Sequence, residues 1–151
     1  MQRARATLEV RFPAGEPNRT SPPDERQRDL LERYVRAWEA SDIDGFVALL
    51  RQDAVLSMPP FEQWYRGRDA IRTFFTWVWQ LRNHSGIRIV PTAANRQPAF
   101  VQYFKDPEGS AFVAHSLQVV TLHDDAIAAI TVFLNRELVP AFGLPTTLPV
   151  A

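Results

Sequence analysis

The sequence predicts an α+β domain in which N-terminal helices pack on a mostly antiparallel sheet, and three observations lead there. Apolar residues recur at helical spacing through Leu30, Leu31, Tyr34, Val35 and Trp38, and again through Phe46, Val47, Leu49 and Leu50. From Asp53, and more continuously from Ile87, the period becomes extended. Two turn signatures, Asp106-Pro107-Glu108-Gly109 and Asp124-Asp125, then divide the extended half into hairpins. The 151 residues suffice for one domain with its own core.

Composition excludes several chemistries. Cysteine is absent, which removes disulfides, thiolate metal sites and cysteine nucleophiles. Seventeen basic and seventeen acidic residues balance to zero formal charge, so direct nucleic-acid binding is not expected. No apolar run approaches the roughly 18 residues of a membrane span, and Arg3 and Arg5 follow Met1 without a signal-peptide core. A cytoplasmic location away from membranes is the expectation. With no glycine-rich phosphate loop, no metal-spaced set of histidines and carboxylates and no Gly-x-Ser-x-Gly elbow, neither a cofactor nor a metal is expected.

Taken in order, residues 1–8 can form two helical turns before a linker holding Pro13, Pro17, Pro22 and Pro23, which sets the domain boundary at 23/24. The first amphipathic helix ends at Ser41-Asp42-Ile43-Asp44-Gly45, whose short polar residues suit the end of one helix and the cap of the next. A strand from Asp53 is broken by Met58-Pro59-Pro60. Trp64-Tyr65 lead through Gly67 into a helix striped by Ile71, Phe74, Phe75, Val78 and Leu81. Trp77 and Trp79 beside that stripe mark either a pocket rim or a second buried contact.

If Asp106 and Ser110 close the first hairpin, Tyr103 lies opposite Val113 and Val101 opposite His115, so Tyr103 and His115 share a face. The second hairpin adds Ile130, Val132 and Leu134 to that face. Gln102, Ser116, Gln118 and Thr131 fall on the other, among Phe100, Phe104, Phe112 and Phe133. The Tyr103 and His115 face carries the more continuous aliphatic cover and is expected to meet the helices. The amphipathic other face is expected to form a homodimer. Asn135 caps a short helix over 136–142, Gly143 ends it, and a proline-bearing tail follows.

Several of these stretches carry a resemblance. The Tyr34 helix, the run from Asp42 to Leu50, Asp53 and Ala54-Val55-Leu56 resemble the opening of the NTF2-like (cystatin-like) fold, which includes SnoaL-like polyketide cyclases and ketosteroid isomerase. That fold implies a cone of helices on a strongly bent sheet, with a pocket inside. Arg3 to Glu9 and the linker behind them resemble the end of the promoter-binding region 4 of extracytoplasmic-function sigma factors. The stretches 58–71, 90–100, 115–122 and 133–145 resemble the SnoaL-like C-terminal domain of one group of those factors. The resemblance thus covers nearly the whole chain and implies contacts with sigma-factor or RNA polymerase domains. The promoter-reading domains themselves are not in the sequence, so initiation by this chain alone is not expected.

The resemblance also places Tyr34 where ketosteroid isomerase keeps its oxyanion-binding tyrosine. It puts that enzyme's general base at Met58 and its second donor near Val113, and neither side chain can do that work. His115 is a mid-strand imidazole able to exchange a proton near neutral pH. Tyr34, Tyr103 and His115 are the candidate catalytic cluster; the plainer alternative is polar side chains satisfied within the core. Trp38, Met58, Trp64, Val101, Leu117, Ile130 and Val132 are expected either to line a pocket for a small apolar or aromatic ligand or to fill the interior. Asp53 suits a pocket acid or a turn or cap, Arg66 and Arg68 suit surface or helix-terminus contacts or else an anion or partner contact, and His84 and His123 sit in loops. Two functions follow: a small-molecule-binding domain related to a sigma factor's regulatory domain, or a stand-alone, cofactor-independent enzyme. The enzyme would be an epoxide-opening cyclase, epoxide hydrolase or isomerase.

Overall fold

The structure, a computed structural model, describes residues 24–81 and 86–150. The expected sigma-like start and linker over 1–23, and His84, lie outside the described residues. The first helix, α1 (Glu25–Glu39), begins in a capping box: Gln27 N donates to Asp24 Oδ1 at 2.8 Å, and Asp24 N donates back to Gln27 Oε1 at 3.3 Å. Gln27 Nε2 also donates to the Asp124 carbonyl at 2.9 Å, pinning the start of the helix to a hairpin turn of the sheet. Leu30, Tyr34, Ala37 and Trp38 are its buried stripe, as the spacing predicts.

Asp42 caps the short α2 (Ile43–Val47) by accepting from Gly45 N at 3.0 Å. A side chain on Gly45 would bring its Cβ within 2.3 Å of Asp42 Oδ2, so the cap depends on glycine there. Next come β1 (Leu50–Ser57), the three-residue β2 (Trp64–Arg66) and α3 (Arg68–Leu81). Arg68 Nε donates to the Leu50 carbonyl at 2.8 Å and fixes the start of α3 against the sheet. The remaining strands are β3 (Ile87–Ala94), β4 (Gln97–Lys105), β5 (Ala111–His123) and β6 (Ala126–Phe133). A 3-10 helix (Arg136–Phe142) and β7 (Thr147–Pro149) follow.

Among the described residues the strands form one seven-stranded sheet in the order β2-β1-β6-β5-β4-β3, with β7 joining the free flank of β5. All pairs are antiparallel except β1 with β6. Both outer borders are defended. On β3, Pro91 cannot donate, and Ile89 N donates to the Glu39 carboxylate at 3.1 Å; β2 is only three residues long.

The sheet has a core on each side. On the helix side, α1, α2 and α3 cover Phe100, Phe104, Val120, Ile130 and Val132. On the outer side, the 3-10 helix and the tail cover Ala99, Val101, Tyr103, Leu117 and Val119. This reverses the expected orientation of β4 and β5, and two register shifts explain it. The first hairpin closes with Lys105 opposite Phe112, because Asp106 binds Ser110 through both its backbone N–H and its hydroxyl, each at 2.8 Å, and draws it into the loop. Tyr103 therefore pairs with Ala114, not Val113, and Val101 with Leu117, not His115. The shift between Gln102 and Tyr103 leaves His115 as the extra residue of a β-bulge. A second irregularity at Thr121/Leu122 sets Ile130 opposite Val120 and Val132 opposite Gln118, so these two face the helices while Tyr103 does not.

The outer face is not an open partner surface, since the chain's own C-terminal segment lies on it. Asn135 does cap the 3-10 helix, accepting from Glu137 N at 3.0 Å, and Gly143 closes it at φ 79°.

The Asp106 loop gives a pH prediction. Hydrogen bonding, first from the Ser110 hydroxyl, holds the Asp106 carboxyl below the usual carboxylate range. A depressed folded-state value means the loop's contribution is present above the unfolded carboxylate pKa of about 4 and is lost as pH falls through the folded value. In denaturant titrations across pH, Asp106→Ala should trail the parent most near neutrality, and the gap should narrow as pH drops below about 4. A gap independent of pH would rule out the charged loop contact.

Candidate functional site

The helix spacing that buries Leu30 and Trp38 also carries Tyr34 down onto the middle of the sheet, where its ring is wholly enclosed. Its hydroxyl donates to Gln118 Oε1 at 2.5 Å. Gln118 Nε2 donates to Gln102 Oε1 at 3.2 Å, and Ser116 Oγ donates to the same oxygen at 2.9 Å. Tyr34, Gln118, Gln102 and Ser116 thus form one hydrogen-bonded array across α1, β5 and β4, with all four side chains buried. Ser116 stands directly opposite Gln102, and the rung between them sits beside the bulge at His115.

Aromatic rings enclose the Tyr34 end of the array. Tyr34 stacks on Phe100 at 4.9 Å between centroids and meets Phe46 edge-on at 5.9 Å. Trp38 meets Phe46, Phe75 and Trp79 edge-on at 5.3, 5.0 and 5.0 Å. Such contacts add roughly 0.5–1.5 kcal/mol each beyond area burial, so the packing holds the array rigidly. The indole N–H groups of Trp38 and Trp79 are buried without an acceptor among the described residues.

Burial pushes the Tyr34 hydroxyl far above its ordinary range; the nearby Trp38 indole opposes that shift without reaching hydrogen-bond geometry. The rest of the array is two carboxamides and a hydroxyl, none of which accepts a proton near neutral pH. The array can exchange hydrogen bonds with a neutral polar group. It contains no general base.

The candidates named from sequence divide into three places. Tyr34, Trp38, Met58, Ile130 and Val132 lie in the helix-side core. Val101, Leu117 and Tyr103 lie in the outer core, where the Tyr103 hydroxyl donates to the Pro145 carbonyl at 2.8 Å and burial raises its pKa. Trp64 is 59% exposed on the border strand, with the Arg66 guanidinium 5.8 Å from its ring. His115 is half-buried at the bulge, its ring edge-on to Phe104 at 4.8 Å. The residues expected to share one pocket therefore do not surround one space: the sheet separates Tyr103, Val101 and Leu117 from Tyr34, and Trp64 is outside.

The smaller expectations are also placed. Asp53 is exposed and pairs with Arg51 at 3.0 Å, and His123 is exposed beside Asp124. What sequence reasoning missed is the pair of glutamines with Ser116. The available signal was three polar residues at alternate positions of strands otherwise apolar on both faces.

The helices on a bent, mostly antiparallel sheet define a domain of the NTF2-like, cystatin-like class. The fold is similar to that of a Methylobium petroleophilum protein of unknown function with a cystatin-like fold, at TM-score 0.57 and 13% identity over 75% of this chain and 78% of that one. It is also similar to a SnoaL-like protein of unknown function from Burkholderia thailandensis, at TM-score 0.54 and 14% identity over 74% of this chain and 97% of that one. The model of the SnoaL-like domain matches residues 31–130, and the chain belongs to that family. In sequence it is similar to the ECF RNA polymerase sigma factor SigG of Mycobacterium tuberculosis, 34% identical over 148 residues. That match takes in 98% of this chain and 40% of the sigma factor, so the chain spans well under half the length of this relative.

The array predicts a distinctive titration. A folded-state tyrosine pKa raised above its unfolded value leaves stability intact below about pH 10 and erodes it as pH rises beyond. Following phenolate absorbance, Tyr34 should ionise only together with alkaline unfolding, and Tyr34→Phe should remove one slow-titrating tyrosine. Because Gln118 Oε1 then loses its donor while remaining buried, Tyr34→Phe should also cost about 1–3 kcal/mol in chemical denaturation. Ionisation of all three tyrosines in the folded state would contradict the enclosed array.

Proposed function

We propose that this chain is a regulatory, small-molecule-binding module of an extracytoplasmic-function sigma factor, or a free-standing relative of one. The observation that carries the reading is the 34% identity running through 98% of the chain into SigG. Identity at that level along the full length goes beyond what a shared cone requires, since the structural neighbours keep the fold at 13–14%. The Tyr34–Gln118–Gln102–Ser116 array supports a binding role. A fixed set of neutral donors and acceptors inside an aromatic shell suits an uncharged ligand with an apolar or aromatic body and one hydrogen-bonding group. The module would act in the cytoplasm beside RNA polymerase, through sigma-factor or polymerase domains and without gripping nucleic acid itself, in keeping with its balanced charge.

A stand-alone cyclase, epoxide hydrolase or isomerase has less support. Such an enzyme would need Tyr34, Tyr103 and His115 at one substrate, and Tyr103 faces away from Tyr34 with its hydroxyl engaged by Pro145.

Two linked measurements test the regulatory reading. Thermal shift against a panel of neutral aromatic ketones should find compounds that raise the melting temperature of the parent and do so much less for Gln118→Leu, since a ligand stabilises only the state that binds it. Run-off transcription by polymerase carrying the sigma factor's promoter-reading regions should change in yield when this chain is added, and change again with the compound. Transcript yield indifferent to both additions would sink the proposal.

A further inference from the structure

The outer face of the sheet is sealed by a strap of the same chain. It leaves β6 after Phe133, crosses the face as the 3-10 helix and returns as β7 to pair with β5. Val139 is completely enclosed, and Leu138, Phe142, Leu144 and Leu148 pack into the outer core. Three polar contacts fix the path. Thr92 Oγ1 donates to the Phe142 carbonyl at 3.3 Å, Tyr103 Oη to the Pro145 carbonyl at 2.8 Å, and Ala114 N to the Thr146 carbonyl at 2.8 Å. Each of these contacts lies between the strap and the sheet. The connection back to β6, Leu134 to Glu137, is exposed throughout, and its hydrogen bonds are local: Glu137 N donates to Asn135 Oδ1 and Leu138 N to the Asn135 carbonyl.

We infer that this strap is exchangeable: two copies of the chain can trade residues 136–150, each strap seating on the other copy's sheet in a two-fold dimer. The outer face fits one occupant demonstrably, and a second copy carries that same occupant. Trading therefore keeps every strap-to-sheet contact and changes only the course of the exposed connection. Seating within one chain wins at low concentration, because the tether gives the strap a high effective concentration; rising protein concentration shifts the balance to the exchanged pair. The homodimer expected from sequence through an amphipathic sheet face becomes a dimer through the face's own cover.

The absence of native cysteine makes the test direct. The Ala114–Thr146 hydrogen bond marks that couple as the bonded rung, so the adjacent Val113–Thr147 couple is the narrow one, with Cα atoms about 4.5 Å apart and within disulfide reach. Chains carrying only Val113→Cys and chains carrying only Thr147→Cys are mixed unfolded, refolded together at high concentration and oxidised with glutathione. The expected result is a disulfide joining position 113 of one chain to position 147 of another, well in excess of either like-with-like product, with a dimer mass by light scattering. The double variant oxidised at low concentration should close within a single chain, which establishes that the substitutions fold in the parent register. Deleting Asn135 and Arg136, which hinders the strap from folding back on its own sheet, should raise the dimer fraction several-fold. The inference is overturned if unlike chains link no more often than like ones, or if the double variant closes only within itself at every concentration and the deletion variant stays monomeric.

Discussion

The interior is governed by where the long strand β5 breaks register. Its thirteen residues pair with β4 on one flank and with β6 and β7 on the other, and each long pairing shifts once. Because side chains alternate along a strand, each shift exchanges the faces of everything beyond it. The bulge at His115 brings Ser116 and Gln118 to the face of Gln102, the irregularity near Leu122 brings Ile130 and Val132 there too, and alternation along β4 leaves Tyr103 on the other face. Without the bulge, Ser116 and Gln118 would turn to the outer face and the Tyr34 hydroxyl would lose its acceptor, a loss worth about 1–3 kcal/mol if left unmet.

The array that results is polar without being ionisable at neutral pH. Two carboxamides are the economical way to receive a buried phenol, because each supplies both a donor and an acceptor and neither carries a charge to desolvate. A carboxylate in the place of Gln118 would bind the phenol more strongly but would need a cation, and among the described residues no cationic side chain is buried. Such a site can exchange hydrogen bonds with a neutral polar group, and none of its four side chains takes up a proton near neutral pH.

Much of the architecture was legible because it depends on local pattern. The helical stripe of Leu30–Trp38, the Asp42 cap, the turn at Asp106–Gly109 and the final short helix all follow from spacing and capping chemistry, whereas the stripe on α3 runs through Ile71, Phe75 and Trp79 and leaves the expected Leu81 exposed. The family could be read as well, since its motifs run from Tyr34 to Pro145. The orientation of the sheet could not. It depends on the register shift at Thr121/Leu122, which sets Ile130 opposite Val120 and Val132 opposite Gln118, and that shift leaves no mark on apolar periodicity. For the same reason the sequence marks Tyr34 as a site residue but sets its neighbours Gln102, Ser116 and Gln118 on the far face.

The borders of the sheet have a consequence for how the protein behaves in crowded solution. A carboxylate from the end of α1 holds an amide that β3 would otherwise offer to a neighbour, a proline interrupts the same strand, and β2 is too short to template another. Open-ended stacking of sheets into fibrils is therefore obstructed at both flanks, and molecules that meet through this fold should stop at closed, countable assemblies.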